Sequence, residues 1–392
     1  MTSQLIPASD REKNRRAGGL RSWRRQRTVS VALYTQPDPH LIKAWDSLVS
    51  DTPGSDVAQL SGWSNLRRDV GFLPMYLLAH HDDRLVGGAV VLQRHLPVLG
   101  VVGYLPYGPV IAERAPRAAV ARALSAEVAD LGHRQLGSLF VQPPEGCDDI
   151  SDQLLEHGFR PSTAGIAPEA SIRIDLTRDL EDIRSGLAKS NRRRTHTWAG
   201  RGVTVRLGHR GDLPVVADLL ARTAVHQKFD PLSLQYIRTL YQELAPAGHV
   251  DIVIAELNGV PVAAELFTAC GGVLKSRLTG MLRSEPVRKS GVSAAIIWNA
   301  IVWAKAKGYH SFDFGGIPRD KVDAVRDDAT SLLSGPTAFK ASFGGRPFRY
   351  PVPVELISSP LVRVGYDLAR RYPAGGKVVA RAKRMMRGGG TT

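Results

Sequence analysis

The chain has 392 residues, 43% of them hydrophobic and 23% charged. That length suits two domains of ~150–200 residues, and the composition can bury a core. Cys147 and Cys270 are the only cysteines, which excludes a disulfide framework and a Cys-rich zinc site, and no run of 18 purely apolar residues occurs. The first residues lack the apolar stretch of a signal peptide, so a cytoplasmic protein is expected.

The net charge of +15 is uneven: residues 1–28 carry +6, residues 361–392 carry +7, and the body is left with +2. Basic ends attract RNA, DNA or anionic lipid, or they simply keep a chain in solution. One further basic island, Lys189 to Arg210, holds seven Lys and Arg and no acid.

Residues 1–28 show no hydrophobic periodicity and are expected to be disordered. Residues 76–92 predict a hairpin turning at His81-Asp82-Asp83-Arg84, and a strand follows around Val98–Tyr104. Pro116–Leu131 has helical apolar spacing, and residues 138–142 form the next strand. Asp179–Ala199 predicts a helix carrying the basic island, and Asp212–Gln227 predicts a second one. A hairpin then turns at Asn258-Gly259, followed by a strand at 273–280, a helix at 293–308 and a strand at 311–316. Residues 360–387 read as a basic amphipathic helix broken at 373–376.

The order hairpin, strand, helix, strand thus occurs twice. Aligning Val86 with Val262 gives an offset of 176, and aligning Phe140 with Phe314 gives 174. The near-constant spacing points to an internal duplication. Divided on that basis, the chain has a basic tail at 1–28, one unit at 29–178, a second at 179–355 and a basic helix or tail at 356–392.

The sequence lacks a nucleophile elbow, a phosphate-binding P-loop and an H-E-x-x-H helix. His80-His81 and Asp82-Asp83 sit in a turn, where neighbours point apart, so no metal site is read there. The repeated order is that of the N-acyltransferase (GNAT) core, in which the loop before the helix cradles a pyrophosphate on backbone N–H groups. Here that loop runs from Arg288 through Gly291 to Ser293, and helix capping by Ser290 or Ser293 explains it equally well.

Several segments carry a family resemblance. W-A-K-A-K-G-Y-H-S-F-D-F-G-G-I (303–317) and A-F-K-A-S-F-G-G-R-P-F-R-Y (338–350) are similar to the C-terminal core of the FemABX family of aminoacyl-tRNA-dependent transferases. K-S-N-R-R-R-T-H-T-W-A-G-R-G-V (189–203) resembles the family's basic helix, and Q-L-S-G-W-S-N-L (59–66) and Y-L-P-Y-G-P-V (104–110) fit its first repeat. The family often has Arg where Tyr107 stands. No stretch between Arg206 and Asp230 could hold a long coiled-coil arm, so the chain resembles the armless members.

The resemblance implies an α+β fold of two tandem GNAT-like domains. It implies transfer of an amino acid from aminoacyl-tRNA to an amine, with no metal or organic cofactor, the acceptor being the stem peptide of a peptidoglycan precursor. Its catalytic group would be Lys340, stabilising the oxyanion of the attacked ester, with Phe339 beside it. Asp313 or Glu265 could take the proton of the attacking amine, or each could serve a structural hydrogen bond. Lys189 and Arg192 share a helix face and could grip the acceptor's diphosphate or the tRNA backbone, or merely face solvent. Arg67, Arg68 and Tyr104 would contact the acceptor from the other side.

Three other readings stay open. They are the same chemistry on a peptidyl or nucleoside natural product, acyl-CoA-dependent N-acylation through Arg288, Gly291 and Ser293, and a non-catalytic RNA- or membrane-binding module. The expected partners are aminoacyl-tRNA, an amine-bearing peptide or precursor, and anionic membrane touched by the basic ends at the inner face.

Overall fold

The structure, a computed structural model, describes residues 28–96, 100–227 and 230–371. The expected disorder of the first residues and the end of the basic C-terminal segment lie outside the described residues. The strands are β1 (Val29–Tyr34), β2 (Leu73–His81), β3 (Arg84–Leu96), β4 (Gly100–Pro106), β5 (Val110–Ile111), β6 (Ser138–Gln142), β7 (Arg160–Pro161) and β8 (Ala170–Asp175), then β9 (Val203–Leu207), β10 (Val250–Leu257), β11 (Val260–Cys270), β12 (Val273–Met281), β13 (Ser311–Gly316), β14 (Arg346–Arg349) and β15 (Val354–Ile357).

They form two sheets of matching order. The first runs β1-β2-β3-β4-β6-β15-β7, with β5 pairing β3; the second runs β9-β10-β11-β12-β13-β8-β14. This is the expected α+β pair of GNAT-like units. Asp82 and Asp83 in one hairpin, and Asn258 and Gly259 in the other, adopt the left-handed backbone that a two-residue turn requires.

The sixth strand of each sheet comes from the other half of the chain. β8 lies between β13 and β14, and β15 lies between β6 and β7. The expected boundaries at 178 and 355 therefore divide the chain but not the sheets. The connection leaving each unit thus runs into the sheet of its neighbour, between the last two strands there.

The interior agrees. One apolar cluster joins Val90 and Leu92 of the first sheet to Ile252, Ile254 and Leu266 of the second. The helices Pro39–Asp51, Leu213–Gln227 and Leu234–Leu244 supply Trp45, Leu219 and Leu240 to it. Two further clusters cover the outer faces, against the helices Arg117–Arg134 and Val292–Ala306. Strands buried on both faces read as continuous apolar runs, as in Ala89-Val90-Val91-Leu92.

The helix expected over 179–199 is two helices, Leu180–Ser185 and Lys189–Thr197, separated at Gly186-Leu187-Ala188. No coiled-coil arm stands between Arg206 and Asp230 among the described residues, where Leu213–Gln227 packs on β11 and β12.

Candidate active site

The two sheets differ where their parallel strands meet. In the first, β4 and β6 stay paired over five positions, from Val102↔Ser138 to Pro106↔Gln142. In the second, β12 and β13 pair only at Val273↔Ser311, Leu274↔Phe312 and Lys275↔Asp313. Beyond that point β12 follows β11, and β13 leans toward β8 through an irregularity before Gly316. The duplicated unit is thus open in one copy, and the opening is a cavity of about 930 Å³.

Its walls are largely apolar, with Leu278, Met281, Ile296, Ile297, Phe314 and Phe339 among them. Two ionisable groups line it. Lys340, on the helix Gly335–Ala341, donates from Nζ to the carbonyl of Gly316 at 2.7 Å. Burial lowers its pKa, against the pull of Glu265 and Asp313. Glu265, mid-strand on β11 and 2% exposed, accepts hydrogen bonds from Ser276 and Thr279. Burial pushes its carboxyl up to about 7, although both bonds and the Lys340 ammonium oppose the shift. A carboxyl that titrates near neutrality beside a partly desolvated ammonium can exchange a proton and hold a developing negative charge.

The glycines of the two sequence motifs place these parts. A side chain on Gly344 would strike the backbone of Gly186 (2.1 Å from its carbonyl oxygen), and one on Gly315 would meet the carbonyl of Ser276 at 2.9 Å. Both have positive φ. Phe343, 1% exposed, anchors the Lys340 helix and meets Phe339 edge-on with centroids 5.2 Å apart. Asn191 of the basic helix donates to Ser342 Oγ at 2.7 Å and holds the same C-terminal end of that helix.

Behind the cavity a buried ionic cluster ties the two units together. Asp56 accepts from Lys275 Nζ at 2.8 Å and from Arg277 at 3.2 Å. Burial alone would raise the Asp56 pKa; the two cations outweigh it and hold the group far below the carboxylate range. Lys275 also lies 4.5 Å from the Tyr107 ring centroid and bonds the Tyr350 hydroxyl at 3.2 Å. Arg277, at a bulge in β12, stacks on Trp63 at 4.6 Å and lines the cavity. The cavity wall therefore reaches the first unit through Arg277 and Trp63.

The structure brings together Lys340, Phe339, Glu265 and Ser293 of the residues expected at the site. It turns Asp313 away from it. That carboxylate is fully buried, accepting from Ser171 Oγ at 2.5 Å, the Gly315 N–H at 2.7 Å and Arg173 at 3.2 Å. The strand alternation that points Phe314 into the cavity points Asp313 out, so its role is structural.

Arg192 donates back to the Ser185 carbonyl at 2.6 Å, and Lys189 is exposed; neither lines the cavity. Arg67 is buried over the Phe72 ring at 4.3 Å, while Arg68 is exposed, so the two do not form one side of a clamp. Tyr104 is half-buried in the first unit, its phenol pushed up by burial. Tyr107 is a buried partner of Lys275.

The loop at Arg288–Ser293 is the end of a short helix, Glu285–Ser290, and Gly291 with φ 89° links it directly to Val292–Ala306. Ser290 Oγ takes the Val292 N–H at 3.3 Å, so capping is the local role of that residue. Arg288 is exposed there, and the Arg194 side chain lies beside Gly291. Asp56, Lys275, Arg277 and Trp63 escaped the sequence reading. Lys275 and Arg277 did leave a signal: two cations two positions apart in a central strand need a buried counter-charge.

Comparison with known proteins agrees with this fold. The family model described as an acetyltransferase (GNAT) domain matches residues 177–328. A lipid II:glycine glycyltransferase of Staphylococcus saprophyticus subsp. saprophyticus is 22% identical over 235 residues, covering 57% of this chain and 56% of that protein. Its counterpart from Staphylococcus haemolyticus is 21% identical over 232 residues, covering 56% and 55%. The chain thus spans little more than half the length of these curated relatives.

Among solved structures, FemX superposes with a TM-score of 0.71 at 16% identity, covering 85% of this chain and 99% of its own. A tandem GNAT protein from the clavulanic acid biosynthesis pathway gives 0.51 at 13% identity, covering 85% and 99%. Sequence relatives and structural neighbours both support the FemABX resemblance, and the GNAT fold is present twice.

Proposed function

We propose that the chain is an aminoacyltransferase. It moves an amino acid from the 3′ ester of aminoacyl-tRNA to the amine of a peptidoglycan precursor. The observation that carries this reading is the cavity at the parted β12–β13 junction, with Lys340 and Glu265 both lining it and coupled electrostatically. The relatives named as lipid II:glycine glycyltransferases support the acceptor class.

The amine nitrogen attacks the ester carbonyl carbon, and the carbonyl oxygen becomes an oxyanion. Lys340, held by one hydrogen bond to Gly316, keeps its other N–H donors for that oxygen. Glu265 takes the proton lost by the attacking nitrogen. The tetrahedral state collapses with cleavage of the carbon–oxygen bond, and the proton passes to the departing ribose hydroxyl. An amide has formed, an ester has broken, and no external energy source is required. The ester is already activated, so the reaction proposed draws on no metal or organic cofactor.

A second reading, acyl-CoA-dependent N-acylation, is favoured by the GNAT model match and by the helix N-terminus at Gly291. One reconstitution separates the two. Purified protein, a lipid-linked or nucleotide-linked stem peptide and a charged tRNA pool should yield a ribonuclease-sensitive aminoacylated product. Turnover with acyl-CoA and no RNA would establish the second reading. Replacing the stem peptide with an amine-bearing peptide or nucleoside tests a natural-product acceptor, and failure with every donor leaves a binding module.

A further inference from the structure

The cavity wall carries more positive than negative charge. Lys340, Arg277 and Arg283 line it, against the carboxyl of Glu265. Arg283 is exposed, and Lys340 already has its place at the ester oxygen. Arg277 is placed beside the chemistry and has donors to spare. The bulge in β12 brings four consecutive residues, 276–279, to the cavity. Ser276 and Thr279 are the two that bond Glu265, so Arg277 stands between the anchors of that carboxyl. Its guanidinium is fixed by stacking on Trp63 and by donating to Asp56. Asp56 is its one hydrogen-bond partner among the described residues, and that carboxylate is shared with Lys275. The Arg277 Nε is buried and makes no hydrogen bond. A guanidinium offers five N–H donors in a rigid fork, and buried donors left unpaired are costly. The neighbouring carboxylate of Asp313 is taken by Ser171, the Gly315 N–H and Arg173.

We infer that Arg277 reads a carboxylate on the carbon that bears the attacking amine, so that the acceptor is the α-amino-acid end of a diamino diacid and not a plain side-chain amine. The inference rests on the acceptor class proposed above. The donor does not supply the anion: its reacting end is an ester beside an ammonium, and its nearest phosphate is on the far side of the ribose. In the acceptor, the amine must come to Glu265, and an anion on the same carbon stays beside that nitrogen. The other carboxylates of a stem peptide lie a side chain or more away. A planar fork meets a carboxylate with two parallel hydrogen bonds, which a lysyl amine would leave unmade.

The test uses the full chain and three nucleotide-linked stem peptides that differ at one carbon. In the first, a diaminopimelyl residue presents the amine beside a free carboxylate. In the second that carboxylate is amidated, and in the third a lysyl residue has hydrogen there. Titration calorimetry without tRNA reads binding apart from transfer. The free-carboxylate peptide, in one of its two configurations at that carbon, should bind about tenfold or more tighter than the other two. Equal binding of all three, tighter binding of the amide or the lysyl peptide, or binding of none overturns the inference. Arg277→Lys keeps a cation for Asp56 and loses the fork, so it should bring the free-carboxylate peptide down to the level of the amide. A folded variant that keeps the full preference overturns the assignment to Arg277, and the wild-type comparison decides the matter whether or not the variant folds. Ribonuclease-sensitive transfer is read separately. Transfer to all three peptides at one kcat/KM keeps the aminoacyltransferase and overturns the carboxylate. No transfer to any of them, with the binding preference intact, overturns the transferase reading alone.

Discussion

Lys340 and Glu265 divide the work of the cavity, and their substitutions should separate. Lys340→Met keeps the stem and removes the charge. The expected loss is on the order of 100–1000-fold in kcat, with little change in acceptor KM, because the charge is needed only as the oxyanion forms. Near-normal turnover by the folded variant would remove Lys340 from the chemistry. Glu265 should give kcat/KM a rising limb with a midpoint near 7, where its carboxyl ionises. Glu265→Gln should lower the rate roughly 100–10,000-fold and abolish that limb.

The same group has a stability signature. Its folded pKa lies above the ordinary 4.5, so its contribution is fully present below about 4.5 and is lost as pH rises toward about 7. Urea titrations from pH 4 to 9 should show wild type losing on the order of 3 kcal/mol relative to Glu265→Gln across that window. A parallel pair of curves would mean the carboxyl is not perturbed. Lys340 was legible in the sequence because it sits in a motif. Glu265 was visible only as an acid in the middle of a strand, and its standing against Asp313 depended on which face each one took. Asp56 was not legible at all, since its partners come from β12, more than two hundred residues away.

At the scale of elements, hairpins and helices followed local chemistry and were largely readable. The turns at Asp82-Asp83 and Asn258-Gly259 and the helix Val292–Ala306 fell where turn residues and periodicity put them. The basic stretch did not, because the backbone turns extended at Ala188, whose N–H goes to the Ser342 carbonyl, and one expected helix becomes two. The motif glycines Gly315 and Gly344 mark close backbone approaches. Gly344→Ala must push the Lys340 helix away from Gly186, at a cost of about 1–3 kcal/mol. Its melting temperature should fall and kcat should fall with it, although no ionisable group has changed. An unaltered melting temperature would show that the Gly186 contact yields without strain.

For the whole molecule, the duplication could be read from constant offsets, but the traded strands could not, because β8 and β15 carry no mark of the sheet they join. Residues 29–178 expressed alone should be insoluble or unfolded, as should 179–371, since each half lacks the next-to-last strand of its sheet and half of the shared core. Co-expression should restore a soluble pair that copurifies; independent folding of either half, seen as a cooperative melt, would contradict this. The trade also sets a schedule for synthesis. β6 leaves the ribosome roughly two hundred residues before the strand that will cover it, which at ordinary elongation rates leaves its edge bare for about 10–40 s. A truncation just before Val354 would therefore injure the half of the protein made first, and that half would wait on chaperones for a strand that never arrives.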